Sequence, residues 1–284
     1  MRVLVISPGY VGGKLVDALR RRDHEVASER VEITDISALR EALKRHRPEA
    51  VLNCAGRKGT PNVDWCETNQ VPTMLSNAVG AMLVAQACAE AGVHLASLGT
   101  GCVFYGASPD PGGWTEDDFA NPSAFYTRSK YAADLMLSRL PGVATIRFRM
   151  PISGEPHPGN LIDKLARYPK IIDVVNSVTV VDDLEAAVVG VIEKRAEGVF
   201  HAVNGGTMRH RALIALYQEL VDPTHACEWI SDEDLLAQGL VAGKRSNNVL
   251  QNRRLPEIDI HLRPIDVALR DAMEKYAARR RVLA

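Results

Sequence analysis

Tyr126-Thr127-Arg128-Ser129-Lys130 sets a phenol and an ammonium group four residues apart. On a helix that spacing puts both on one face. A lysine charge beside a phenol stabilises the phenolate and lets it exchange a proton with a carbonyl oxygen. The spacing is common by chance, and Tyr10 and Lys14 repeat it. That copy lies inside a glycine turn, which leaves no room for a substrate. The second copy has better company in Leu98-Gly99-Thr100-Gly101-Cys102-Val103-Phe104. Thr100 can donate to the same carbonyl oxygen as Tyr126. Cys102 follows Thr100 by two residues, which on a strand gives both one face, although a free cysteine is often only a small buried hydrophobe. Lys164, in Asn160-Leu161-Ile162-Asp163-Lys164, falls on a predicted helix beside the same cleft. Most lysines are solvated surface groups.

A proton exchanged with a ketone suggests a nicotinamide cofactor, and the N-terminus offers a place for one. Ser7-Pro8-Gly9-Tyr10-Val11-Gly12-Gly13 joins an apolar run to a helical pattern. Glycines there admit a pyrophosphate to the backbone, and the helix N-terminus supplies free N–H groups. The alternative is a tight turn without a ligand. Ala27-Ser28-Glu29-Arg30, at the end of the second predicted strand, bears on the choice of cofactor. Ser28 and Arg30 suit a 2′-phosphate, whereas Glu29 suits a ribose hydroxyl. NADPH is the expected cofactor, with NADH left open. Asp35 either meets the adenine or caps the next helix. Asn53, Ala55, Gly56 and Met150, at or just beyond the ends of predicted strands three and five, complete the expected cofactor edge along with Tyr126 and Lys130.

These groups need a scaffold, and the hydrophobic pattern supplies one. Short apolar runs at Val3–Ile6, Glu25–Ala27, Ala50–Asn53, His94–Leu98 and Ala144–Phe148 read as strands. Between them, helical patterns span 12–22, 37–46 (opened by Ser37), an Ala-rich 71–91 and 123–140. Such alternation predicts an α/β protein with a doubly wound parallel sheet of Rossmann type. Residues 1–150 form the expected cofactor-binding core. Residues 151–284, interrupted by Pro151, Pro156, Pro158 and Gly159, form substrate-side elements interleaved with the last core strands, a small C-terminal lobe.

Composition narrows the function. The 284 residues carry 34 Lys plus Arg against 35 Asp plus Glu, a balance without the basic excess of a nucleic-acid binder. Five cysteines at no zinc-like spacing suggest reduced thiols, no metal and a cytoplasmic setting. No stretch approaches the roughly 20 apolar residues of a membrane span, and no membrane partner is expected.

The Tyr-x-x-x-Lys helix, the Thr-x-Cys-Val-Phe strand end and the glycine turn resemble the extended short-chain dehydrogenases. Within them the sequence is most similar to the sugar-nucleotide 4-keto reductase branch, and there to the plant-type UDP-4-keto-6-deoxyglucose 3,5-epimerase/4-reductases of UDP-rhamnose synthesis. The similar segments are Pro61-Asn62-Val63-Asp64-Trp65-Cys66-Glu67, Thr100-Gly101-Cys102, Phe125-Tyr126, Arg149-Met150-Pro151-Ile152-Ser153, Asp173 with Asn176-Ser177, and Arg245-Ser246-Asn247-Asn248. GDP-fucose synthase is similar in placing a cysteine two residues beyond its catalytic hydroxyl residue.

The resemblance implies reductase roles for Thr100, Tyr126 and Lys130. It implies that Cys102 and Lys164 are proton donor and acceptor for epimerisation, and that Asn62, Asp64, Asn160, Arg245 and Asn248 lie around a UDP- or dTDP-linked sugar. Homodimers are common among such proteins. The sequence departs from the family at Ile6, where the first glycine of the turn is expected, and the loop from Tyr105 to Phe119 is short. Two other readings remain: a 4-keto reductase with Cys102 as a passive wall, and a non-catalytic binding subunit that keeps the fold.

Overall fold

The computed structural model describes residues 1–60 and 62–283; Pro61, the first residue of one family-like segment, lies outside the described residues. Strands β1 (Arg2–Ile6), β2 (Glu25–Glu29), β3 (Ala50–Asn53), β4 (His94–Thr100) and β5 (Val143–Phe148) form one parallel sheet with a sixth strand, Gly198–His201. From one edge the sheet runs Gly198–His201, β5, β4, β3, β1, β2. The chain leaves β1 in opposite directions across the sheet to reach β2 and β3. The loops after β1 and β3 therefore part at their carboxyl ends, the crevice where doubly wound sheets bind ligands.

Strands buried on both faces need apolar residues at every position, and β3 and β4 have no exposed residue. Helix α1 (Tyr10–Arg21) and the helix Val181–Glu193 cover one face. Helix α2 (Ile36–His46), the helix Gln70–Ala91 and the helix Phe125–Leu137 cover the other. A separate apolar cluster joins Ile152, the helix Leu161–Arg167, the helix His210–Leu220 and the terminal helix Ile265–Leu283.

Several elements differ from expectation for local reasons. Helix α1 begins at Tyr10, because Gly9 is already its N-cap. Helix α2 is capped by Asp35, whose carboxylate accepts from Ser37 N at 2.8 Å and Ala38 N at 3.3 Å; Ser37 is inside the helix. Strand β2 runs on to Glu29 because its register with β1 continues to Ile6. The helix Gln70–Ala91 is long and apolar enough to cross a membrane by length and composition, contrary to the sequence expectation. It is half buried, however, and Ala81, Val84, Ala85, Ala87 and Cys88 pack into the sheet-facing core. A π turn at Leu75–Val79 interrupts it. Gly92 ends it in the left-handed conformation at φ 65°, as a C-terminal glycine does. Val71, Met74, Leu75 and Val79 form an outward apolar stripe on this helix, uncovered in the single chain.

Cys102 does not continue β4. Gly101–Val103 is one turn of 3₁₀ helix, and the Thr100 hydroxyl caps it by accepting from Cys102 N at 3.2 Å. The strand argument for a shared face therefore fails; the cap instead ties the Thr100 hydroxyl to the Cys102 backbone.

Candidate active site

The glycine turn is built without a glycine at its first position. Ile6 is the last residue of β1 and is buried in the core, while Ser7 takes the left-handed conformation at φ 51° and donates its N–H to Glu29 O at 2.7 Å. Gly12 serves packing: a Cβ there would stand 3.0 Å from Cys54 Sγ and 3.2 Å from Pro8 Cβ. Gly9 is open, with nothing within 4 Å of a Cβ, and no side chain caps the N-terminus of α1. Free N–H groups at Tyr10 and Val11 thus face an approachable surface, which fits a pyrophosphate.

Across the crevice, Asn53 is buried and donates to Ser97 Oγ at 3.3 Å while accepting from Ala55 N at 3.1 Å, so it shapes the turn after β3. A Cβ on Gly56 would lie 3.6 Å from Asn77 Oδ1 and 3.8 Å from Lys130 Nζ. The β3 turn therefore touches the Tyr–Lys helix. Met150, the residue after Arg149, is left-handed at φ 43°.

At the adenine end, Glu29 is occupied by His46 at 2.8 Å and Arg45 at 3.3 Å, turned toward α2. Asp35 is likewise used, as a cap rather than an adenine contact. Ser28 and Arg30 are exposed. This leaves phosphate-binding chemistry free and hydroxyl-binding chemistry engaged. Arg30→Ala is expected to raise the KM for NADPH by about 10-fold, the worth of one charge-assisted hydrogen bond, with little change for NADH. Steady-state kinetics with both cofactors checks this; equal loss for both would point to a role other than phosphate binding.

Tyr126 and Lys130 lie on the helix Phe125–Leu137, directed at the end of β4. Lys130 is buried and donates Nζ to Leu98 O at 2.7 Å. Burial lowers its pKa, and the carboxylate of Asp134, one turn further along the helix, works against that. Asp134 is itself held by Arg147 at 2.9 Å. Tyr126 is partly exposed. Burial pushes the phenol well above the ordinary tyrosine value, Cys102 and Cys66 add to that, and a hydrogen bond with Thr100 opposes it. The Lys130 ammonium group is turned to the Leu98 carbonyl. The resting phenol is therefore the protonated form, the one a proton donor needs.

Sequence reasoning missed Asn77. It sits in the π turn, donates to Ser129 Oγ at 3.0 Å and Arg57 O at 2.9 Å, and accepts from Arg57 N at 2.6 Å. A polar residue inside an Ala-rich helix was the available signal, and π turns cluster at functional sites.

Lys164 is largely buried, on the helix Leu161–Arg167. Burial, then the neighbouring charge of Lys58, lowers the Lys164 pKa, while Cys102 opposes this, so thiol and amine are close enough for their charges to interact. The supposed sugar-nucleotide residues divide. Asp64 and Arg245 make a bidentate ion pair, both contacts 2.8 Å, between the loop after β3 and the C-terminal segment. Asn62 closes a turn by accepting from Asp64 N at 2.8 Å. Asn160 corrects the expectation: it is 0% exposed. Its amide oxygen caps the Lys164 helix by accepting from Ile162 N and also accepts from Ser153 N, and its nitrogen donates to Ser153 O and Glu155 O. That uses the whole amide in holding the loop and the start of the helix. Asn248 is also buried and serves as scaffold, donating to Phe104 O at 2.5 Å and accepting from Arg149 at 2.7 Å.

The decoy pair has its own job. Tyr10 stacks on His157 with centroids 3.8 Å apart, and Lys14 pairs with Glu155, tying α1 to the loop before the Lys164 helix.

Fold and site together define a Rossmann-type, extended short-chain dehydrogenase/reductase. Comparison with known proteins narrows this. The family described as RmlD substrate binding domain matches residues 1–278. A bifunctional dTDP-4-dehydrorhamnose 3,5-epimerase/dTDP-4-dehydrorhamnose reductase of Arabidopsis thaliana is 30% identical over 253 residues, covering 87% of this chain and 83% of that protein. A trifunctional UDP-glucose 4,6-dehydratase/UDP-4-keto-6-deoxy-D-glucose 3,5-epimerase/UDP-4-keto-L-rhamnose-reductase of the same plant is 28% identical over 275 residues; the match covers 95% of this chain and 40% of that one. The solved structure of the L780 UDP-rhamnose synthase of Acanthamoeba polyphaga mimivirus aligns with a TM-score of 0.90 at 27% identity, covering 97% of this chain and 99% of that one. The chain belongs to the RmlD substrate-binding-domain family.

Proposed function

We propose that this chain is an NADPH-dependent 3,5-epimerase/4-reductase acting on a UDP- or dTDP-linked 4-keto-6-deoxy sugar. The observation that carries the reading is the position of Cys102. It follows Thr100 at the end of β4 in a turn capped by the Thr100 hydroxyl, and its charge would be felt by both the Tyr126 phenol and the Lys164 amine. Relatives named for reduction of 4-keto sugars, and for epimerisation with reduction, support it.

A ketone at C4 acidifies the hydrogens on C3 and C5. Thr100, at the end of β4, and Tyr126, on the helix that packs there, would both donate to one carbonyl oxygen and stabilise the negative charge that develops there when a proton leaves carbon. Inversion needs one group to take the proton and another to return one from the opposite face; Cys102 and Lys164 are that pair. When bound, NADPH supplies hydride to C4. Tyr126 then gives its proton to O4, and Lys130 holds the ribose side of the cofactor crevice beside Gly56. One pair of oxygen-binding hydroxyls thus serves both reactions.

The test is incubation with UDP- and dTDP-4-keto-6-deoxyglucose in deuterated water without NADPH. Deuterium at C3 or C5 is expected by mass spectrometry. Reduction after NADPH is added, with no prior exchange, would leave a 4-keto reductase alone.

A further inference from the structure

Arg149 is 1% exposed and heads the largest fully buried side chains. A buried guanidinium is costly unless a counter-charge meets it. Arg147, two residues earlier and equally deep, has one in Asp134 at 2.9 Å. Arg149 meets only neutral oxygens. Its Nη1 donates to Asn248 O at 2.8 Å and Asn248 Oδ1 at 2.7 Å, and its Nη2 donates to the Ser246 carbonyl. Among the described residues no carboxylate pairs with it, and its Nε has no hydrogen-bond partner at all.

Sheet register explains where that orphan group lies. Thr100 of β4 stands opposite Phe148 of β5, so the residues that follow, Gly101 and Arg149, leave the sheet side by side. A Cβ on Gly101 would be 3.4 Å from Arg149 Cδ and 3.5 Å from its Cβ. The guanidinium stem therefore lies under the turn that carries Cys102. Of the neighbouring groups, Cys102 does most to favour the charged guanidinium, ahead of Tyr105. The dock is rigid: Asn248 also donates to Ser246 Oγ at 2.9 Å and takes Asn176 Oδ1 on its backbone N–H at 2.9 Å. Four family-like segments, around Thr100, Arg149, Asn176 and Arg245, meet in this one network.

We propose that Arg149 is a positioning residue for the epimerisation half-reaction, its unpaired Nε acting as fixed counter-charge to a thiolate at Cys102. The inference rests on the epimerase reading and assigns the direction of proton flow within it. Cys102 Sγ takes the proton from carbon: S–H forms as C–H breaks, and the electron pair moves onto O4. The Lys164 ammonium group returns a proton from the other face, and solvent restores thiolate and ammonium. An arginine suits this place because it stays charged when buried and its planar fork reaches three acceptors while Nε faces elsewhere.

The remaining thiols give little background. Burial pushes Cys54 and Cys88 up to about 12 and raises Cys66 and Cys227. At neutral pH the ultraviolet thiolate band of the wild type, less that of Cys102→Ser, should therefore report Cys102 alone. That difference band is expected in the wild type and lost in Arg149→Met. Alkylation of Cys102 by iodoacetamide should slow by about tenfold or more in that variant, the worth of one charged hydrogen bond. Arg149→Lys should keep part of the band and react at an intermediate rate. If Arg149→Met does not fold, Arg149→Lys decides by itself, and a rate equal to wild type overturns the proposal. A wild type without the band, or a band that survives in Arg149→Met, also overturns it. A thiolate without deuterium exchange would leave the counter-charge standing and remove the epimerase reading instead.

Discussion

Tyr126→Phe should lower NADPH-dependent reduction of the 4-keto sugar by about 10²- to 10⁴-fold, the usual worth of a positioned acid, with little change in NADPH affinity. Only the hydroxyl is removed, and the ring still fills its place on the helix Phe125–Leu137. The size of the effect is that of one positioned proton donor lost, since the phenylalanine ring carries no acid in its place. The raised pKa fixes the sign with pH. A phenol held above its ordinary value stays protonated through the neutral range, so the acid form is not limiting there, and Tyr126 should impose no fall in reduction rate between weakly acidic and weakly alkaline pH. Stopped-flow reduction across pH, with cofactor titration by fluorescence, checks both points. A loss confined to NADPH binding would move Tyr126 from chemistry to cofactor holding.

Cys102→Ala should split the two half-reactions. Deuterium wash-in at C3 and C5 should fall by about 10²- to 10⁴-fold, again the range for one lost acid–base group, while a substrate supplied already epimerised should still be reduced. The split is expected because the proposed mechanism uses Thr100 and Tyr126 at O4 in both steps but the thiol in proton exchange at carbon alone. The variant removes one sulfur and leaves the 3₁₀ turn capped through its backbone, since Thr100 Oγ1 accepts from the N–H of residue 102. Equal loss of exchange and reduction would show that Cys102 shapes the whole pocket rather than moving a proton.

Much of this architecture is legible in the sequence because period and punctuation agree. The apolar runs of β3 and β4, the glycine at 92 and the Pro141-Gly142 break each act within a few residues, where local rules hold. What stays hidden depends on contacts made across the chain. The family resemblance implies that Asn160 and Asn248 lie around a sugar nucleotide. Only the fold reveals that one spends its amide capping the Lys164 helix and the other holds Arg149. Glu29 competes for the cofactor reading until α2 brings His46 and Arg45 to it. Ile6 reads as a defect in the turn, yet Ser7 makes the left-handed step that a glycine would otherwise supply. The relation of Thr100 to Cys102 is the clearest case. Alternation along a strand predicts a shared face, but the strand ends at Thr100, whose hydroxyl caps the turn through the Cys102 backbone N–H.

The most direct test of the account is the structure of the protein with NADP⁺ and a UDP- or dTDP-4-keto-6-deoxy sugar bound. The account predicts the sugar O4 within hydrogen-bonding distance of both Thr100 Oγ1 and the Tyr126 hydroxyl, the nicotinamide ring over C4, and Cys102 and Lys164 on opposite faces of the sugar. A sugar bound away from the end of β4, or with Cys102 and Lys164 on the same face, would contradict it.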